Sequence, residues 1–204
     1  RPRKGIDVLI RAMAIVARAV PSAHLVIVGN AESAGFLASL RTLATRVGVG
    51  DRVAFLAHRD DVGHVLAALD VFAMPSLYGE GTPFAALEAM AASRCIVAAR
   101  SEGIDETIED GITGLLVPPG DHAALAGALV SALGNAPLRG DLGQRARRDA
   151  EARFAADRMA ADTEAVYRAA QCRLAPGEVL FAFTVGVADA ADAAGSLYGR
   201  ERLI

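Results

Sequence analysis

Short, wholly apolar segments alternate with segments of helical periodicity along most of the chain, and this alternation limits the fold more than any other feature. Strands without a polar face are typical of a parallel sheet that helices cover on both faces. The sequence therefore predicts an α/β fold with a Rossmann-like parallel sheet. The predicted strands are HLVIVG (24–29), VAFL (53–56), VFAMP (71–75), CIVAA (95–99) and the start of GLLVPPGD (114–121).

The segments between these strands carry apolar residues at helical spacing and end at recognisable stop signals. Pro21 and Gly48 end the first two helices, and Asp121 is a predicted N-cap. Ligands of such sheets bind outside the carboxyl ends of the strands. We therefore expect the site in the loops 29–35, 57–61, 75–83 and 99–106. The predicted helices cover 6–20, 36–47, 60–69, 83 onward, 123–133, 138–154 and 157–170.

Composition argues against several other classes of protein. A hydrophobic fraction of 53% with 22% charged residues is globular, and a net charge of −3 offers no general attraction to nucleic acid. Cys95 and Cys172 provide no disulfide framework; Cys95 is expected to be an ordinary buried thiol, which fits a reducing, cytoplasmic location. No apolar run approaches the roughly 20 residues of a membrane helix, and the four histidines show no metal-binding spacing.

Two glutamates, Glu80 and Glu88, stand in the otherwise small and apolar segment PSLYGEGTPFAALEAMAAS (75–93). Carboxylates accept hydrogen bonds, sugars offer rows of hydroxyl groups, and a charge on an apolar helix is costly without such partners. The alternative is that Glu88 faces solvent or pairs with Arg94 or Arg100. The spacing alone favours neither interpretation.

The same segment predicts a phosphate site at the start of its helix. With Pro83 as the first helical residue, the N–H groups of Phe84, Ala85 and Ala86 are expected to be free at the positive end of the helix dipole. A diphosphate bound there would have Glu80 and Glu88 on either side.

Lys4 is the only lysine among 21 basic residues, and it comes just before the first helix. A lysine at a helix start opposes the helix dipole, so a bound anion would explain its position. The alternative is a solvated charge near a chain end. The segment GNAES after the first strand has one glycine rather than the G-x-G-x-x-G of dinucleotide folds, so NAD binding is poorly supported.

Together these segments resemble the C-terminal, nucleotide-sugar-binding domain of retaining GT-B glycosyltransferases, the glycosyl transferases group 1 family. The resemblance runs from Arg3 to about Tyr167. It implies that residues 1–171 are the C-terminal half of a GT-B fold and leaves 172–204 as an extension of unclear structure. The segments that carry it are KGIDVLIRA (4–12), LVIVG (25–29), VAFLAHRDDV (53–62), 68–98 with its two glutamates, and GIDETIEDGITGLLVPPGD (103–121).

The resemblance implies a role for each matching position. Glu88 matches the glutamate that binds the donor ribose, Glu80 the one that contacts the transferred sugar, and Lys4 the lysine that neutralises the leaving diphosphate. Lys4 and Glu80 are therefore the implied catalytic residues, and no metal or other cofactor is implied. The diphosphate turn matches Thr82, Pro83, Phe84 and Ala85, and the base is expected near Ala57, His58 and Arg59.

The implied function is transfer of a sugar, with retention, from a UDP- or GDP-sugar in carbohydrate biosynthesis, with this chain as the donor-binding half. The opening RPRKG, without an initiator Met, looks cut from something longer. The implied partner is an N-terminal acceptor-binding domain, through which any peripheral membrane association is expected. A GT-B-type nucleotide-sugar epimerase and a non-catalytic nucleotide-binding domain are the alternatives. The chain departs from the family at Ser93 and Ala57, where glycine is usual.

Overall fold

A computed structural model describes residues 1–169 of the chain. The predicted extension 172–204, including Cys172, lies outside the described residues. The described part contains five strands and eight α-helices, which alternate until the last three helices. The strands are β1 (Leu25–Val28), β2 (Val53–Leu56), β3 (Val71–Met74), β4 (Cys95–Ala99) and β5 (Leu115–Val117). The helices are α1 (Ile6–Ala19), α2 (Ala34–Arg46), α3 (Val62–Ala67), α4 (Phe84–Ala91), α5 (Ile104–Thr107), α6 (His122–Gly134), α7 (Ala136–Arg153) and α8 (Ala156–Ala169).

These elements confirm the predicted alternation, and most of their ends lie within two residues of the predicted ones. Asp121 is the N-cap of α6, where its side chain accepts hydrogen bonds from the N–H groups of Ala123 and Ala124 at 2.9 Å. The helix predicted over 60–69 is shorter, because α3 begins only after Asp61, whose carboxylate is paired with Arg59. Two 3-10 turns, Pro2–Lys4 and Gly50–Arg52, were not predicted.

The strands pair in parallel, as expected, and β4 lies at the centre of the packing. Its five residues are all buried, and they alternate between two cores. Cys95, Val97 and Ala99 pack with α1, α2 and α6, whereas Ile96 and Ala98 pack with α4 and α7. The predicted cover of helices on both faces is therefore confirmed at β4. The prediction for Cys95 is also confirmed: it is buried, and burial raises the pKa of its thiol to about 11.

The expectation that β1 is buried on both faces is wrong, and β2 also has one exposed face. Residues of these two strands alternate between half-buried and exposed, and Val26, Val28 and Leu56 remain 39%, 39% and 41% exposed. The half-buried residues of both strands pack against the core formed by α1 and α2. The apolar composition of these strands thus exceeds what their burial requires in this structure.

The strands also form two sheets rather than one, β1–β2 and β3–β4–β5. A groove of about 420 Å³ lies between the edges of β1 and β3, and apolar residues of α1 and α6, such as Met13 and Leu129, also line it. Doubly wound sheets commonly have the strand order 3-2-1-4-5-6. Read across the groove, the order is β2, β1, groove, β3, β4, β5. This matches the common order if the groove takes the place of strand 1.

Tertiary contacts divide the chain into two compact units, Arg1–Arg158 and Met159–Ile204. All five strands belong to the first unit, and of the second only the C-terminal part of α8 is described. The division into residues 1–171 and 172–204 stays a prediction. Within the described part, no helix is both long and apolar enough to span a membrane.

Candidate functional site

The first residues of the chain lie alongside the loop that carries Glu80. The N–H of Leu77 donates to the carbonyl of Arg3 at 2.8 Å. Gly5 adopts a left-handed conformation with φ of 62°, and a Cβ atom there would overlap the carbonyl of Pro75. Only glycine allows this close approach of two backbones. Gly5 thereby places Lys4 beside the loop after β3, in which Glu80 is 76 residues away from Lys4 in the sequence.

Glu80 is held by three side chains that converge on one of its oxygens. Its Oε1 accepts hydrogen bonds from Nζ of Lys4 at 2.6 Å and from Oγ of Ser76 at 2.7 Å. A guanidinium nitrogen of Arg3 lies 3.7 Å from the same oxygen and donates to the Gly79 carbonyl at 2.8 Å. The structure therefore brings the two implied catalytic residues, Lys4 and Glu80, into direct contact.

This environment keeps the Glu80 carboxylate charged although it is only 6% exposed. Burial by itself would raise its pKa. The hydrogen bonds from Lys4 and Ser76, together with the charges of Lys4 and Arg3, outweigh burial and lower the pKa of Glu80 below its ordinary value. A buried, ionised carboxylate is thus available at the carboxyl end of β3.

The loop after β4 packs onto the same glutamate loop. Gly103 has φ of 79°, and a Cβ atom there would overlap the carbonyl oxygens of Glu80 and Gly81. Nearby in the chain, the hydroxyl of Ser101 is buried and has no hydrogen-bond partner among the described residues. Two of the loops that were expected to form the site therefore meet at Glu80 and Gly81.

The start of α4 differs from the prediction. Pro83 is the N-cap rather than the first helical residue, with φ of −81° and ψ of 74°. These angles form an inverse γ-turn in which the Phe84 N–H donates to the Thr82 carbonyl at 3.0 Å. The Pro83 carbonyl accepts the N–H of Ala86 at 2.8 Å. The expectation of three free N–H groups is therefore wrong: of the three, only that of Ala85 lacks an acceptor among residues 1–169.

Glu88 is exposed on α4. Neither arginine named as an alternative partner pairs with it: Arg94 donates to backbone carbonyls, including that of Leu69 at 2.9 Å, and Arg100 pairs with Asp105 and Asp110. The alternative that Glu88 pairs with Arg94 or Arg100 is therefore wrong, and the Glu88 carboxylate is open to solvent or to a ligand.

A second groove, of about 410 Å³, lies at the carboxyl ends of β1 and β2, and we call it the strand-end groove. Gly29 and Asn30 line it after β1, Ala57 lines it after β2, and Lys4 lines it from the N-terminal segment. Lys4 therefore contributes to this groove as well as to the Glu80 cluster. The Lys4 ammonium group thus lies between the strand-end groove and the buried Glu80 carboxylate.

His58 and Arg59 follow Ala57 but are not among the residues that line the strand-end groove. The His58 N–H donates to Oδ1 of Asn30 at 3.2 Å, which joins the loops after β1 and β2. The side chain of His58 lies 3.3 Å from Asp60. Arg59 forms a two-point pair with Asp61 at 2.6 and 2.7 Å, and its hydrogen bonds lower the pKa of the Asp61 carboxyl. Both side chains are thus engaged with neighbouring carboxylates.

Sequence reasoning missed Arg3, Ser76 and Gly103 as site residues. Ser76 had one available signal, since a hydroxyl directly follows the apolar strand VFAMP and comes four residues before Glu80. For Gly103 the sequence offered no signal beyond the residue type. Among residues 1–169, no group of three His, Cys, Asp or Glu side chains is placed to hold a metal ion. The positive groups nearest to Glu80 are the side chains of Lys4 and Arg3.

Comparison with known proteins places this architecture in a family. The family model described as "Glycosyl transferases group 1" matches residues 1–135. The phosphatidyl-myo-inositol mannosyltransferase of Mycobacterium leprae is 38% identical over 140 residues, which is 68% of this chain and 36% of that protein. The chain therefore spans little more than a third of the length of this relative.

Solved structures show the same fold. The crystal structure of Anabaena Alr3699/HepE in complex with UDP matches 83% of this chain and 46% of its own, with 28% identity and a TM-score of 0.77. The C-terminal domain of a glycosyl transferase group 1 family protein (LpcC) from Francisella tularensis matches 76% of this chain and 82% of its own, with 23% identity and a TM-score of 0.69. The latter likeness is one of fold alone.

Proposed function

The chain belongs to the glycosyl transferases group 1 family, and on that premise we propose that it is the donor-binding half of a retaining glycosyltransferase. In this proposal the enzyme transfers a sugar from a nucleotide diphosphate to an acceptor held by an N-terminal domain. The observation that carries the proposal is the contact between Lys4 and Glu80 at 2.6 Å beside the strand-end groove.

The proposed donor lies across the carboxyl ends of the strands. The nucleoside occupies the strand-end groove, with the base near Ala57, His58 and Arg59. Glu88 accepts hydrogen bonds from the ribose hydroxyls, for which its exposed carboxylate is available. The solved Anabaena relative binds UDP, which supports a nucleoside diphosphate as the ligand.

The diphosphate lies between Lys4 and the turn formed by Thr82, Pro83, Phe84 and Ala85. The Ala85 N–H, which has no acceptor among the described residues, can donate to a phosphate oxygen at the positive end of α4. When the bond to the sugar breaks, negative charge grows on the diphosphate. A fixed cation and a fixed N–H stabilise that charge without reorganising at the moment of reaction.

Glu80 contacts the hydroxyls of the transferred sugar. Its Oε1 is already engaged by Lys4 and Ser76, so its other oxygen is the one that faces the sugar. The lowered pKa keeps this carboxylate an acceptor of hydrogen bonds at neutral pH. The chemistry in this proposal uses residues of the chain and no cofactor.

Calorimetry with UDP, GDP and the corresponding sugar nucleotides tests the assignment of the two glutamates. Replacing Glu88→Gln should weaken UDP or GDP binding roughly tenfold to a hundredfold, because a hydrogen bond to a charged group contributes about 1.5–3 kcal/mol. Glu80→Gln should not weaken the binding of free nucleotide, and it should weaken only the binding of the sugar nucleotide.

Glu151→Gln is the matched control, because this carboxylate is exposed on α7, outside the site loops. It should bind every ligand as the unmodified chain does. Equal effects of Glu80→Gln and Glu88→Gln on UDP would show that the two roles are assigned wrongly. A chain that binds none of these nucleotides would contradict the proposed function itself.

A further inference from the structure

Ser76 is the most deeply buried polar residue of the described part, and its hydroxyl is committed to a single partner. The residue is 1% exposed, and its Oγ donates to Oε1 of Glu80 at 2.7 Å. Ser76 is the second residue after β3, next to Pro75, whose backbone is in close contact with Gly5. The hydroxyl is therefore attached to one of the rigid parts of the fold.

The contacts of Glu80 divide its carboxylate into two unlike halves. Lys4, Ser76 and, at longer range, Arg3 all approach Oε1. No described residue donates a hydrogen bond to Oε2. One oxygen is thus anchored by the protein, and the other retains its capacity to accept hydrogen bonds from a ligand.

The two short anchors of Oε1 differ in what else they contact. Lys4 also lines the strand-end groove, and its side chain is 39% exposed. In the proposed function, a bound diphosphate competes with Glu80 for the ammonium group of Lys4. Ser76 is buried, and its hydroxyl has no second hydrogen-bond partner among residues 1–169. Under that proposal, donor binding weakens the contact of Lys4 with Glu80 and leaves that of Ser76 in place.

We propose that Ser76 is a positioning residue, whose hydroxyl holds Oε1 of Glu80 while Lys4 is shared with the diphosphate. Glu80 then keeps Oε2 directed toward the hydroxyls of the transferred sugar. This inference rests on the proposed function, because it assumes that Lys4 faces a diphosphate and Glu80 a sugar. It adds a residue that acts through Glu80 without touching the donor.

The first test compares sugar nucleotide with free nucleotide in the Ser76→Ala variant. Calorimetry with UDP and UDP-glucose, and in parallel with GDP and GDP-mannose, gives the ratio of the two affinities for each base. Ser76→Ala should lower that ratio about tenfold, the size expected for one hydrogen bond to a charged group, and leave the affinity for free nucleotide unchanged.

Ser101→Ala is the matched control, because it also removes a buried hydroxyl near the glutamate loop, but one without a partner among the described residues. It should not change the ratio. In a Glu80→Gln background, Ser76→Ala should have no further effect on the ratio, because the residue through which it acts is changed. An additive loss in that double variant would mean that Ser76 is only a packing residue and would overturn the proposal.

The second test needs no ligand and separates this inference from the proposed function. In protein labelled with ¹³C at glutamate side chains, the signal that disappears in Glu80→Gln identifies Glu80 and reports its pKa. The charges that face Glu80 are those of Lys4 and Arg3, and both variants retain them. Ser76→Ala should raise the pKa of Glu80, because a hydrogen bond to its charged form is lost, and Ser101→Ala should not.

The outcomes are distinct. If no sugar nucleotide binds but Ser76→Ala raises the pKa of Glu80, the anchoring by Ser76 holds and the proposed function fails. If sugar nucleotides bind but Ser76→Ala changes neither the pKa of Glu80 nor the affinity ratio, the proposed function holds and Ser76 has no positioning role.

Discussion

Lys4 is the only lysine in the chain, so its amine and the α-amino group are the only primary amines available to an acylating reagent. We expect UDP or GDP to slow acylation at Lys4, because a diphosphate facing the ammonium group shields it. Uridine or guanosine, which lack the phosphates, should protect far less. Peptide mass mapping after a short reaction measures the rate at each amine.

Lys4→Arg keeps the charge but changes the shape of the head group, and we expect a partial loss of nucleotide affinity rather than a complete one. Without Lys4, the α-amino group remains as the only reactive site. Equal labelling of Lys4 with and without saturating nucleotide would mean that its only partner is Glu80 and that it does not face a diphosphate.

Ser93 is the only residue other than glycine with a positive φ among residues 1–169, at 56°. The left-handed conformation costs an L-residue about 1–2 kcal/mol, and glycine avoids that cost. Glycine in turn destabilises the folded state by about 0.5–1 kcal/mol, because it loses more conformational freedom on folding. We therefore expect Ser93→Gly to raise the free energy of unfolding by roughly 0.5–1 kcal/mol. Urea denaturation measures this difference.

Ala92 provides the control for this substitution, since it is the neighbouring residue and has an ordinary φ of −79°. Ala92→Gly should lower the free energy of unfolding, because it adds the entropic cost of glycine and removes a methyl group that packs against the core. If both glycine variants destabilise the chain, the backbone at Ser93 is not strained.

At the scale of the element, β4 and the two strands beside the groove differ in how their backbones are paired. β4 pairs with β3 on one edge and with β5 on the other, whereas β1 and β3 each have one edge toward the groove. An unpaired edge presents free N–H and C=O groups. Local opening therefore requires less free energy at β1 and β3 than at β4.

Amide hydrogen exchange followed by NMR measures that difference. The amides of β4 should be the most protected of the strand amides, and groove-facing amides of β1 and β3 should exchange markedly faster. Comparable protection in β1, β3 and β4 would indicate that the groove closes in solution and that the two sheets pair.

The helix α4 shows how one element determines the geometry of the site. Pro83 at the N-cap uses its carbonyl to accept the Ala86 N–H, and the γ-turn before it occupies the Phe84 N–H. The proposed phosphate contact is thereby confined to the Ala85 N–H and to the positive end of the helix dipole. The remaining positive charge comes from Lys4, which belongs to another part of the chain.

At the scale of the whole molecule, the chain corresponds in fold to the C-terminal domain of a longer family member. It also spans 36% of the length of the mannosyltransferase it resembles. We predict that the chain alone binds a nucleoside diphosphate but transfers no sugar, because in the proposed function the acceptor is held by another domain. A radiolabelled-donor assay of transfer and hydrolysis, run beside calorimetry, measures both properties.

The Glu80→Gln variant serves as the background control in that assay. Robust multiple-turnover transfer by the unmodified chain, lost in Glu80→Gln, would contradict the prediction and show that both sides of the reaction are handled by these 204 residues. Binding without turnover agrees with it.

The sequence by itself determined the order and type of the elements and the candidate residues. Apolar runs marked all five strands, and helical periodicity with stop signals marked the helices between them. Asp121 as an N-cap followed from its position before an apolar helix. These features are local, since they depend on residues only a few positions apart, and a sequence displays them directly. Lys4 and Glu80 were proposed as partners of one ligand on the family resemblance.

Tertiary structure alone decided which of these residues meet. Lys4 reaches Glu80 because Gly5 lets one backbone approach another at Pro75. Ser76 joins the pair because β3 ends two residues before it, which places its hydroxyl 2.7 Å from Glu80. The exposed face of β1 and β2 and the groove beside β3 were likewise not readable from apolar composition. The physical reason is that hydrophobicity states which residues favour burial, whereas packing between distant segments decides which of them are buried and against what.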